Sequence, residues 1–184
     1  MGKIDFSKLI IRLIRKNDTK IISDFSTYEK DLKDFLVENS IRDQEQFISK
    51  TYLLFYNNNL VGYITLLNDS LRVKGPLRTI FLEKNILYKT LPALKIGRLA
   101  IDNNYLRQGF GRILLEIAYN SANKICTDIS GCRFLTLDAK RNKDSKKDSI
   151  HFYKQFNFNV LKNRLKGTTP MYLDIKLNKK YFTS

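Results

Sequence analysis

The chain has 184 residues, 33 Lys+Arg against 18 Asp+Glu, a formal net charge of +15 and a pI near 9.8. That length holds one domain with a real core, expected over residues 1–184. A hydrophobic share of 43% with 12% aromatic residues excludes wholesale disorder. No apolar run approaches the roughly 18 residues that span a bilayer. The greasiest early stretch, Leu9–Ile14, is interrupted by Arg12 and is too short and too charged for a signal peptide. Met1-Gly2 opens like a myristoylation site but carries Phe6 where Ser or Thr is needed. Two cysteines, Cys126 and Cys132, do not make a disulfide framework, so a reducing cytoplasm is expected. His151 is the single histidine, and no local motif pairs it with a cysteine. No metal site is expected.

Residues 8–15 read as a strand, rich in β-branched and apolar residues. Thr27 is the expected N-cap of a helix in which Leu32, Phe35 and Leu36 recur at helical spacing to about Glu38. A second helical stretch runs from Asp43 to about Ile48. Segments 52–56 and 60–67 are strands separated by Asn57, Asn58 and Asn59, residues that tolerate left-handed geometry, so a β-hairpin is predicted. Residues 68–92 give no clear pattern and read as a loop with a short helix or strand. Ala93–Ile101 is a mixed apolar run that reads as a buried strand. Over 109–128 the apolar residues Ile113, Leu114, Ile117, Ala118, Ala122 and Ile125 form one helical stripe. Arg133–Asp138 is a strand, Asp144 or Ser145 caps a helix to about Phe156, and 158–160 and 171–175 close the chain as strands. The order predicts a mixed α/β domain with a largely antiparallel front half.

The charge excess is uneven: net +4 over residues 1–92 and net +11 over 93–184. A basic half suggests a polyanionic partner, namely cofactor phosphates, a nucleic acid or a membrane surface. The competing explanation is composition, since 22 Lys and 16 Asn against 5 Ala suit an AT-rich coding sequence that accumulates lysine on solvated surfaces.

Two motifs carry chemistry. Between the strand ending at Ile101 and the helix beginning near Gly109 lies Asn103-Asn-Tyr-Leu-Arg-Gln-Gly-Phe-Gly-Arg112. Its glycines let the backbone approach a ligand closely. The helix start offers unpaired N–H groups and a positive dipole end that suit a phosphate, and Arg107 and Arg112 add charge-assisted contacts. No Gly-Lys-Ser/Thr follows, and position 114 is Leu, so this is neither a Walker A loop nor a dinucleotide fingerprint. Taken by itself, a Gly-x-Gly turn is equally a plain tight turn into a helix. The second motif is Phe152-Tyr-Lys-Gln-Phe-Asn-Phe158. Phe152 and Phe156 stand i, i+4 and are expected in the core. Tyr153 is either a core-edge tyrosine or a proton donor, since a phenol can protonate a leaving thiolate.

In this order the two motifs resemble the Gcn5-related N-acetyltransferase (GNAT) family. The family's turn is Gln/Arg-x-x-Gly-x-Gly/Ala; Gly109 and Gly111 match it, whereas Leu106 stands at the leading Gln/Arg and Arg107 is its neighbour. The second motif is similar to Phe-Tyr-x-x-x-Gly-Phe, with Asn157 at the glycine position. The resemblance implies a GNAT fold, a central, mostly antiparallel twisted sheet flanked by helices, and acetyl-CoA as cofactor. It further implies that backbone groups at Leu99, Ala100 and Ile101 pair with the pantetheine arm. Amides of Arg107, Gln108, Gly109, Phe110, Gly111 and Arg112 cradle the pyrophosphate, and Tyr153 protonates the departing thiolate. Family members often carry a Glu base on the strand before the turn; here no carboxylate precedes Asp102, so the base is unassigned.

Asp24–Leu36, Asp43–Tyr52, Val61–Thr65, Gly97–Asp102 and Met171–Lys176 are similar to the GNAT toxins that acetylate aminoacyl-tRNA. That similarity implies an aminoacyl-tRNA acceptor and an antitoxin partner, and it leaves a homodimer open. The alternatives are a GNAT acting on a protein or small-molecule amine, and a non-catalytic CoA- or RNA-binding module. The basic tracts Lys140–Lys147 and Lys162–Lys166 are candidate grips for tRNA phosphates.

Overall fold

The computed structural model describes residues 4–141, 149–164 and 167–178. Strands β1 (Leu9–Leu13), β2 (Lys50–Tyr56), β3 (Asn59–Arg72), β4 (Thr90–Ile101), β5 (Phe134–Lys140), β6 (Asn159–Val160) and β7 (Thr168–Asp174) form a sheet in the order β1-β2-β3-β4-β5-β7-β6. The β1–β2, β2–β3, β5–β7 and β6–β7 ladders are antiparallel. Helices α1 (Thr19–Ser23), α2 (Lys30–Asp34), α3 (Ser40–Glu45), α4 (Gly75–Leu82), α5 (Phe110–Lys124) and α6 (Ser149–Lys154) complete a mixed α/β architecture. The chain divides into two units: one contains the chain up to Leu67 together with Ile96–Ala118, and the other contains Asn68–Lys95 and the chain from Tyr119 onward.

In the first unit the predicted hairpin is present. Asn57 and Asn58 both take positive φ, 48° and 63°. A two-residue loop that matches strand twist requires this, and asparagine accepts it at low steric cost. Opposite this turn the hydroxyls of Thr51 and Thr65, register partners in β2 and β3, bond each other at 2.9 Å inside the core. Ile14, Ile22, Phe25, Leu36, Leu53, Phe55, Tyr63 and Ala100 form the hydrophobic cluster. The Tyr63 ring meets Phe25 edge-on at 5.6 Å, and its hydroxyl donates to the Leu32 carbonyl at 2.6 Å. That bond satisfies the phenol's buried polar end.

The front helical region departs from expectation. Thr27 does not cap; Glu29 is the N-cap of α2 and makes no side-chain cap bond. From Lys30 the helix continues through a π segment, Phe35–Asn39, directly into α3. The two predicted helices are therefore one run. The π segment widens the turn there, and Ser40 Oγ donates to the Leu36 carbonyl. The run stops at Phe47, whose φ is +57°.

In the second unit, the unclear stretch 68–92 resolves into the end of β3, α4 and the start of β4. Pro76 starts α4. The Arg78 guanidinium donates to the carbonyls of Ile86, Leu87 and Tyr88 at 3.1, 2.7 and 2.6 Å, holding the loop that follows. Leu71, Val73, Phe81, Leu91, Ala93 and Phe134 form this unit's cluster. Helix α5 is amphipathic as read, and its last turn is a π segment, Ile125–Ile129. The caps Asp144 and Ser145 fall outside the described residues. Among the described residues no helix is long and apolar enough to cross a membrane.

Candidate functional site

The first motif lies wholly in the first unit. The end of β4 runs beside β3 so closely that a Cβ at Gly62 would lie 2.7 Å from Ile101 Cδ1 and 2.8 Å from the Ala100 carbonyl oxygen. The Asp102 N–H donates to the Val61 carbonyl at 2.9 Å and so closes the pairing. Along this stretch Ala100 is buried, whereas Leu99 and Ile101 are half-buried.

Asp102 then turns the chain. Its buried carboxylate accepts from the Ser26 N–H at 2.8 Å, and from the backbone and side-chain N–H groups of Asn104, both at 3.0 Å. Asn103 strengthens the same tie, donating from its amide nitrogen to Ser26 Oγ at 2.9 Å and from its backbone N–H to the Ser26 carbonyl at 2.8 Å. The Asp102 carboxylate is thus committed to holding the turn, and the base stays unassigned.

Beyond it, Arg107 takes φ +59° and Gly109 takes φ +100°. These two left-handed residues reverse the chain into α5, whose first N–H groups have no partner within the helix. Arg107, Gln108, Gly109 and Arg112 are exposed. Phe110 is the buried anchor, with ring contacts to Tyr56 at 5.3 Å and to Tyr105 at 5.9 Å. The Arg112 N–H donates to the Gly109 carbonyl at 3.0 Å, closing the first turn, and its guanidinium pairs with Glu116 at 2.8 Å. Arg107 therefore presents charge at the turn, while part of the Arg112 charge is answered by Glu116.

The second motif lies in the second unit. Tyr153 is buried, with its ring 5.2 Å from that of Phe152 and 5.7 Å from that of Phe158. Burial pushes its phenol well above the ordinary tyrosine value of 10.0, so the proton is held across the neutral range. Phe152 and Phe156, expected in the core, are only half-buried; Ile150 and Tyr153 take the inward positions of α6. A six-residue helix has a single inward face, and Tyr153 occupies it. Asn157 takes φ +62°, the conformation implied by its place at a family glycine. The Tyr153 carbonyl accepts from the N–H groups of Phe156 and Phe158, which fixes the turn after the helix.

The basic tracts are described only at Lys140, Arg141 and 162–164; their remaining residues lie outside the described residues. Among the described residues no cluster of three or more His, Cys, Asp or Glu side chains could hold a metal ion. Sequence reasoning missed the Asp102–Ser26 tie, which joins residues 76 positions apart and leaves no local signal.

No curated protein matches this chain. Solved structures do. A tyrosine-to-phenylalanine variant of KacT is 25% identical, with a TM-score of 0.77 over 95% of this chain and 99% of that one. The AtaTR structure bound with acetyl-CoA is 25% identical, with a TM-score of 0.73 over 97% and 100%. AtaT complexed with acetyl-methionyl-tRNAfMet is 24% identical, with a TM-score of 0.76 over 95% and 99%. The Acetyltransferase (GNAT) family matches residues 19–158. A match over most of the chain, carrying both the left-handed turn into α5 and the Tyr153 motif, makes this protein a member of the GNAT family, an acetyl-CoA-dependent N-acetyltransferase.

Proposed function

We propose that the chain transfers the acetyl group of acetyl-CoA to the α-amino group of an aminoacyl-tRNA. The observation that carries this reading is the likeness, along nearly the full length of both chains, to AtaT complexed with acetyl-methionyl-tRNAfMet. The net charge of +15 agrees with a polyanionic acceptor. AtaT is also known bound to the C-terminus of the antitoxin AtaR. We extend that relation to this chain as a toxin-like enzyme with an antitoxin partner, acting in the cytoplasm where charged tRNA is found.

The residues present fit a CoA thioester. The left-handed pair Arg107 and Gly109 opens the start of a 15-residue helix, a place suited to a pyrophosphate, with exposed Arg107 beside it. In this role the amides from Arg107 to Arg112 hold the phosphates, and the backbone at Leu99, Ala100 and Ile101 pairs with the pantetheine arm. Acetyl-CoA supplies the activated carbonyl. Tyr153 holds the proton for the thiolate that leaves, and burial keeps its phenol protonated at neutral pH until the thiolate forms beside it. Asp102 takes no part as a base, because its carboxylate is bonded to Ser26 and Asn104. An α-amino group next to an ester carbonyl is largely neutral near pH 7 and needs little help from one.

The experiment is transfer of labelled acetyl from acetyl-CoA to a pool of charged tRNAs, repeated with uncharged tRNA and with free amines. Label on charged tRNA alone is expected. Label on free amines alone overturns the acceptor, and CoA binding without turnover on any acceptor favours an inert binding module.

A further inference from the structure

A concave surface that no step above uses lies in the second unit, just past the Tyr153 motif. It is a cavity of about 600 Å³ lined by Asn157, Asn159, Asn163 and Asn178 together with Lys154 and Phe158. Asparagine makes up 16 of the 184 residues. Four of them around one cavity, three from residues 157–163 and the fourth at 178, are a concentration beyond that background. Lys154 ends α6, and the left-handed Asn157 turns the chain so that Asn159 enters β6. Asn178 follows β7 and is held by its own bonds: its amide nitrogen donates to the Asp174 carbonyl at 2.8 Å and its backbone N–H to the Ile175 carbonyl at 3.3 Å. Asn159 donates its amide nitrogen to the Asn157 carbonyl at 3.4 Å. Each side-chain bond uses one of the amide's two N–H groups.

This chemistry selects among ligands. No carboxylate, imidazole or thiol lines the cavity, so it is not built for a metal ion. A primary amide offers a donor and an acceptor in one plane, the pattern that reads a nucleobase edge, with Asn on adenine N6/N7 the standard pairing. A single ammonium suits one phosphate group. We infer that this cavity binds one nucleotide of single-stranded RNA, its base against the asparagine amides and its phosphate at Lys154. Phe158 forms part of the wall and also packs on the Tyr153 ring at 5.7 Å, so the bound nucleotide shares a side chain with the proton donor. For the source of that nucleotide, the unpaired 3′ end of the charged tRNA, the inference rests on the acceptor proposed above.

The test is binding, not turnover, so its failure is separate from failure of that acceptor. AMP, CMP, ribose 5-phosphate and a short single-stranded RNA ending in adenosine are titrated into the full chain with CoA present at saturation, which blocks the CoA site. Saturable binding of AMP and of the RNA is expected, weaker with ribose 5-phosphate and weakened roughly tenfold or more in Asn159→Ala and Asn163→Ala. The asparagine side-chain amide NMR signals of the unaltered chain give a second reading, since AMP should shift signals assigned to this cavity. AMP binding that disappears when CoA is present reassigns the nucleotide to the CoA site and overturns the inference. Equal affinity for ribose 5-phosphate, or no shift of those amide signals, overturns it as well.

Discussion

Replacing Asp102 separates holding the turn from catalysing the reaction. In Asp102→Ala the Ser26 N–H, the Asn104 N–H and the Asn104 side chain lose an ionised acceptor at 2.8, 3.0 and 3.0 Å. Hydrogen bonds to charged groups contribute about 1.5–3 kcal/mol each, and the Asn104 side chain, being exposed, re-forms its bond with water. The two backbone donors then set a loss of about 3–6 kcal/mol, a large part of the roughly 5–15 kcal/mol that stabilises a domain. At about 2–4 °C per kcal/mol for a chain of this size, the midpoint of thermal unfolding falls by roughly 6–24 °C. Asp102→Asn keeps one oxygen acceptor and should lose about half as much. Because Asp102 sets the entry to the turn at 106–112, both variants should raise KM for acetyl-CoA, and added acetyl-CoA, binding wild type more tightly, should widen the gap in midpoint. Thermal unfolding with and without acetyl-CoA, alongside steady-state kinetics, checks this. If Asp102→Asn left the midpoint and KM unchanged but lowered kcat by a hundredfold, Asp102 would be the base and the reasoning would be refuted.

Tyr153→Phe should lower kcat by about 10–10⁴-fold with little change in KM for acetyl-CoA, and unchanged turnover would remove Tyr153 from the chemistry. Since burial raises the Tyr153 pKa, its effect on stability is fully favourable below the ordinary value of 10.0 and is lost as pH rises from there toward the raised folded value; unfolding monitored between pH 9 and 11 should show the decline begin near 10, less steeply in Tyr153→Phe. Gly109→Ala places a side chain at φ +100°, a strain of about 1–2 kcal/mol, while its Cβ meets only Ile4 Cδ1 at 3.4 Å. Its KM for acetyl-CoA should rise several-fold at near-constant kcat, and an unchanged KM would argue against the turn as the phosphate cradle. Burial pushes the Cys132 thiol up to about 12, whereas Cys126 is exposed. A disulfide reagent at pH 8 should therefore titrate one thiol rapidly and the second only on unfolding, and two equally fast thiols would contradict the described burial.

Much of the fold is legible in the chain because the signals are local. Asn57 and Asn58 accept left-handed φ, so the hairpin follows from three adjacent asparagines. The apolar stripe after Gly111 fixes α5, and Asn157 takes the positive φ that its place in the motif implies. Where sequence misleads, the deciding interactions are distant. Arg78 organises residues 86–88 through carbonyls that composition does not mark, which is why 68–92 reads as formless. Thr27 has the chemistry of a cap, yet the neighbouring Ser26 is held by Asp102 and Asn103, and the helix starts only after Glu29. Phe152 and Phe156 have helical spacing, but α6 is too short to bury both faces, and packing of Tyr153 against Phe158 chose the other one.

What the amino-acid sequence determines by itself is therefore the set of elements and the two motifs, because periodicity and left-handed tolerance act within a few residues. Tertiary structure alone decides the roles of the charged and polar groups. Asp102 becomes a strut because Ser26, 76 positions away, brings it a buried N–H. Part of the charge of Arg112 turns to Glu116, whereas Arg107 presents its charge at the turn. The +15 of the whole chain is a sum over solvated side chains, whereas a site depends on which few of them the fold leaves facing a ligand.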